Sequence, residues 1–166
     1  MVQVKTVVID GEPIHFFNSA IYIFESSNSY SIELTMVVSE IVVAKYNQIE
    51  NLFLEIELTD GRLFNFLMHQ QGDSGGLPKL NLFCEVGNIE EYYDFQIIHE
   101  SDPNFPDIEA GLTIEEIRKH EMPNVKVNLK LTLPIDQAEW LSKQKKKDLE
   151  HLIRETIYEY WDKQQD

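Results

Sequence analysis

Near residue 135 the hydrophobic period of this 166-residue chain changes from two to 3.6, so no single kind of element can satisfy both halves. Upstream, apolar and polar residues alternate in short runs. Leu52, Leu54, Ile56 and Leu58 alternate with Phe53, Glu55 and Glu57. Asp60-Gly61 follows, a strong hairpin signal, and residues 63–69 return. The same reading places strands at 2–8, 14–24, 30–36, 41–46, 80–86 and 92–99, with a turn at Asp10-Gly11-Glu12-Pro13. Downstream, Leu149, Leu152, Ile153, Thr156, Ile157, Tyr160 and Trp161 recur at helical spacing and make an apolar stripe.

Two features sit between these halves. Thr113 and Glu116 have capping-box spacing and predict a short helix ending before Pro123. Val125, Val127, Leu129 and Leu131 alternate with Lys126, Asn128, Lys130 and Thr132, which predicts a last strand. Asp136 and Glu139 repeat the capping-box spacing, and the all-round polar stretch 142–148 predicts a break near Ser142 or a projecting helix. The expected fold is therefore mainly β with α (α+β). It has an antiparallel β-barrel or sandwich of about seven to nine strands, one short helix before the last strand, and a long amphipathic C-terminal helix packed on the sheet. One domain is expected over 1–166, with a β-rich body at 1–133 and a helical segment at 136–163. In layout alone this resembles the pleckstrin-homology-like and lipocalin-like architectures, and layout does not imply function.

Charge narrows the function classes. The chain carries 14 basic and 29 acidic residues, a net charge of −15. Residues 1–124 hold six of the bases and 21 of the acids, whereas 125–166 hold eight of each, so the whole excess lies on the body. That balance excludes a phosphate-matching surface, and no nucleic-acid partner is expected. A single cysteine, Cys84, excludes a disulfide scaffold and fits a reducing compartment. No run approaches the length of a membrane span and no leader pattern is seen, so no membrane association and a cytoplasmic location are expected.

Chemical motifs are sparse. Gly72-Asp73-Ser74-Gly75-Gly76 resembles the nucleophile motif of the chymotrypsin-like serine proteases, which implies Ser74 as nucleophile. The family's histidine motif is absent, since His15 and His69 lie in other contexts, and a Gly-rich hairpin loop accounts for the same residues. His99, His120, Asp102, Asp107 and Glu109 include metal-ligating types, but no histidine pair has i, i+4 spacing. No catalytic set, metal or cofactor is predicted.

Adjacent aromatics such as Phe16-Phe17 and Tyr92-Tyr93 point to opposite faces of a strand, so both sheet faces are partly apolar. The leading expectation is a non-enzymatic interaction module, such as an inhibitor, adaptor or immunity-type protein, with a basic or polar protein partner. The acidic loop after residue 99 and the preceding turn supply the candidate binding residues Glu90, Glu91, Tyr92, Tyr93, Glu100, Asp102, Asp107 and Glu109. Leu149, Leu152, Ile153, Ile157, Tyr160 and Trp161 are the candidate docking stripe, in cis or in a homo-oligomer. The alternatives are a small-ligand binder with an aromatic-lined cavity and an enzyme using His and carboxylates near 99–121.

Overall fold

The computed structural model describes residues 2–72, 75–103 and 105–165, and the chain divides into two compact units, Met1–Asn124 and Val125–Asp166. Among the described residues the first unit holds one eight-stranded sheet. Its strands are β1 (Val4–Ile9), β2 (Glu12–Ile14), β3 (Asn18–Glu25), β4 (Tyr30–Val37), β5 (Asn51–Leu58), β6 (Leu63–Gln71), β7 (Lys79–Val86) and β8 (Ile97–His99). Their order across the sheet is β2-β1-β5-β6-β7-β4-β3-β8. Every ladder is antiparallel except β3 with β8.

Alternation sorts the two faces. Leu52, Leu54, Ile56 and Leu58 of β5 are fully buried beside Ile32, Leu34 and Met36 of β4 and Leu80 and Leu82 of β7. Each such side chain contributes roughly 1.5–3 kcal/mol relative to exposure, so this face carries the core. The sheet curls enough to bring β1 against β3. It remains open, because no ladder joins β2 to β8. The expectation of a closed barrel is thus corrected: closure needs two edges long enough to ladder together, and each edge strand here has three residues.

Four predicted strands fold differently. The strand predicted at 14–24 is broken at residues 15–17, with Ile14 closing β2 and the rest lying in β3. Residues 41–46 lie in helix α1 (Glu40–Tyr46). The β-branched run Ile41-Val42-Val43 favours a strand, but the Ser39 hydroxyl accepts the Val42 N–H at 3.2 Å and caps a helix that buries Tyr46. Residues 92–99 form a strand only at their end. Glu90–Tyr92 is one 3₁₀ turn that drives Tyr92 and Phe95 into the core beside Phe64 and Phe66. Residues 125–132 have no ladder, and Val125, Val127, Leu129 and Leu131 are exposed. The predicted last strand is therefore absent, and β8, which precedes the short helix, is the final strand.

That helix, α2 (Ile114–His120), forms as the capping box predicts. Thr113 Oγ1 accepts the Glu116 N–H, and the Glu116 carboxylate accepts the Thr113 N–H at 3.0 Å. Ile117 packs with Val37 and Ile108 in a second, smaller apolar cluster on the outer face of the sheet. The Phe16-Phe17 pair lies between β2 and β3, in neither strand, and still splits, Phe16 against the main core and Phe17 against this cluster.

In the second unit, α3 (Ile135–Ser142) and α4 (Lys146–Asp162) are separated near Ser142. Pro134 precedes α3 and no side chain caps it. The expected Asp136–Glu139 box does not form; the Asp136 carboxylate accepts the neighbouring Gln137 N–H instead. Neither helix buries a residue. Leu149 is half-buried, and Leu152, Ile153, Ile157, Tyr160 and Trp161 are exposed. Among the described residues no helix is long and apolar enough to cross a membrane.

Candidate functional site

The outward residues of β3, β4, β6 and β7 form two cross-strand rows. Register pairs Ala20 with Thr35, Thr35 with Asn81, and Asn81 with Gln71. The adjacent row runs Tyr22, Glu33, Phe83, His69. One row is small and polar, the other aromatic with a carboxylate in its middle.

The acidic loop closes over these rows as a strap. Phe105 lies 6.3 Å from the Phe24 ring and 6.4 Å from the Tyr22 ring. Asn18 donates its side-chain amide to the Ile108 carbonyl at 3.0 Å. Glu109 anchors the far end: it pairs with Lys79 and accepts the Leu77 N–H at 3.1 Å. These donors hold the Glu109 carboxyl below its usual range, the Lys79 ammonium foremost. Gly76 makes the approach possible. It sits at φ +90°, and a Cβ there would lie 2.6 Å from the Glu109 carboxylate oxygens. This gives a packing role to the last glycine of the 72–76 motif. Asp73 and Ser74 of that motif lie outside the described residues.

Strap and rows enclose a groove of ≈ 460 Å³ lined by Tyr22, Phe24, Glu33, Thr35, Lys79 and Phe105, among others. Glu33 is its chemical centre. Its carboxylate is half-buried and accepts the Tyr22 hydroxyl at 2.9 Å. Burial pushes the Glu33 carboxyl up, and burial, with the neighbouring Glu33 charge, pushes the Tyr22 hydroxyl up as well. Among the described residues no salt bridge reaches Glu33. On the same outer face the cross-strand pair Phe53 and Leu67 is exposed, flanked by Glu55 and Glu85.

The eight candidate binding residues do not form one site. Asp107 and Glu109 line the groove. Glu100 and Asp102 lie at the end of β8, where the Asp102 carboxylate accepts the His99 N–H at 3.0 Å. Glu90 and Glu91 are exposed on the 3₁₀ turn, and the tyrosine pair splits: Tyr92 is buried, whereas Tyr93 is 85% exposed. Tyr22, Glu33, Lys79 and Phe105 were not among the candidates. The signal for the first two was the turn at 26–29, which folds Tyr22 opposite Glu33.

The histidines also separate. His99 Nδ1 meets Glu25 at 2.6 Å, whereas the His120 ring stacks on His15 at 3.9 Å with Phe17 edge-on to both. Among the described residues no group of three or more His, Cys, Asp or Glu is arranged to hold a metal ion. Cys84 is buried in the core, and burial pushes its thiol up to about 11.

Partial desolvation and the facing His120 pull the pKa of the exposed His15 down; Glu121 opposes them. The unfolded chain therefore binds a proton at His15 more readily than the folded one. The stability contributed by neutral His15 is full above the ordinary histidine value of about 6.5 and is lost as pH falls through the lowered folded value. Thermal melts at stepped pH should show stability declining below about 6.5. His15→Phe should flatten that decline, and an unchanged slope would exclude His15 as its source.

No protein-family model matches this chain, and no curated protein and no solved structure matches it either.

Proposed function

We propose that the chain is a non-enzymatic protein-interaction module of the inhibitor, adaptor or immunity type, whose acidic first unit binds a basic partner across the strapped sheet face. The observation that carries this reading is Glu33. A half-buried carboxylate between aromatic rings, with no cation paired to it among the described residues, has lost hydration without a compensating charge. A lysine or arginine side chain entering the groove would supply that charge, and the faces of Phe24 and Phe105 would add cation–π attraction. Phe53 and Leu67 extend the face with apolar contact, and the net charge of −15 steers a basic partner toward it.

The test titrates the full chain with an acetylated peptide of alternating arginine and phenylalanine, by calorimetry. Affinity should fall steeply with salt. Glu33→Gln should weaken binding about tenfold at neutral pH, equivalent to about 1.4 kcal/mol. Because the Glu33 carboxyl is raised by burial, native binding should strengthen as pH climbs through its titration, and the Gln variant should lack that rise. Salt-independent affinity, or an unaffected Gln variant, retires the proposal.

The groove volume also suits a small ligand, which is the second reading. Native mass spectrometry of gently purified protein would favour it by showing a mass above the 19.4 kDa chain.

A further inference from the structure

Helix α4 carries its charges in the order that opposes its own dipole. Lys143, Lys145, Lys146 and Lys147 crowd the N-terminal end, with Asp148 the single acid of the first turn. Glu155, Glu159 and Asp162 occupy the C-terminal half, and the last turn holds no base; Lys163 stands just beyond it. Cations belong at the other end of an isolated helix, and acids at this one. No side chain caps the N-terminus. The stripe of Leu149, Leu152, Ile153, Ile157, Tyr160 and Trp161 contains no buried residue. A 17-residue helix of this kind is marginal in water without a partner for its apolar face.

We propose that α4 pairs antiparallel with α4 of a second copy of this chain. Antiparallel pairing sets the lysine end of each helix beside the acidic end and the negative dipole end of the other. Both mismatches are then relieved by the same contact. The operation is a two-fold axis, so the stripe covers itself and the contact closes at two copies. A parallel pair would set lysine against lysine and leave both dipoles opposed. The neutral balance of 125–166 fits self-association, since this segment contributes no net repulsion between copies.

The experiment is sedimentation equilibrium on the full chain and on three variants. The native chain should be a dimer at tens of micromolar. Ile153→Asp should be monomeric at the same concentration. Lys146→Glu with Lys147→Glu should weaken the dimer about tenfold, although the change suits the helix dipole and circular dichroism should show helix content kept or raised. Adding Glu159→Lys and Asp162→Lys to that variant should restore the dimer, because both ends have then exchanged sign. That restoration does not depend on the Ile153 variant folding. A monomeric native chain overturns the proposal, whether or not it binds anionic lipid vesicles. A dimer indifferent to Ile153→Asp, or strengthened by the lysine reversals alone, overturns it too.

Discussion

Leu54→Ala is expected to destabilise the first unit by about 3–4 kcal/mol, read as a shift of the urea midpoint with the slope unchanged. Leu54 is fully buried at the middle of β5, between Ile9 of β1 and Phe66 of β6. Its neighbours belong to laddered strands and cannot collapse into the space without breaking register, so the loss combines transfer free energy with a persistent cavity. Against a typical stability of about 5–15 kcal/mol this is a large fraction of the whole. Leu63→Ala is the matched control. That leucine is 74% exposed on β6, and its removal should stay within about 0.5 kcal/mol. Equal effects at the two sites would mean that the inner face is not the core.

Glu109→Gln should have the second largest effect, a loss of about 2 kcal/mol with release of the strap. The Lys79 side chain is 11% exposed, and removing the carboxylate charge leaves its ammonium poorly solvated and without its counter-ion. Glu109 is itself 31% exposed, which keeps the effect below that of a fully buried pair. Adding Lys79→Met removes the stranded charge and should recover at least half of the loss. Amide exchange at Leu77, whose N–H bonds to Glu109, should quicken in the single variant. A neutral single variant would show that the ion pair does not hold the strap down.

Where apolar alternation and turn chemistry agreed, the residues announced their elements. Residues 52–58 with Asp60-Gly61 did so, as did Thr113 with Glu116. Where one signal stood alone, tertiary context decided. The β-branched run at 41–43 yielded to the Ser39 cap and the burial of Tyr46. The alternation at 125–132 found no neighbouring strand to ladder with, and a strand without a ladder is not an element. The groove was least legible. Tyr22 and Glu33 meet only through β3–β4 register, Asn81 and Gln71 only through β7 and β6, and Phe105 only through the path of a loop. Acidic residues were easy to count, but counting did not separate Glu109, which anchors the strap, from Glu90, which faces solvent.

The strand order has a consequence for how the chain reaches this fold. β3–β4 and the β5–β6–β7 meander are local and can form as each segment leaves the ribosome. The sheet is unified only when the meander slots between the earlier strands, Leu34 finding Leu82 on one side and Val4 finding Leu58 on the other. Both are long loop closures, so entropy is spent before contacts reward it, and folding belongs to the milliseconds-to-seconds class. Until they close, β1 and β4 present unpaired edges beside exposed leucines. A nascent or heat-stressed chain is then most exposed to mispairing with its neighbours, which makes the long closures, more than the finished core, the point at which chaperones would act.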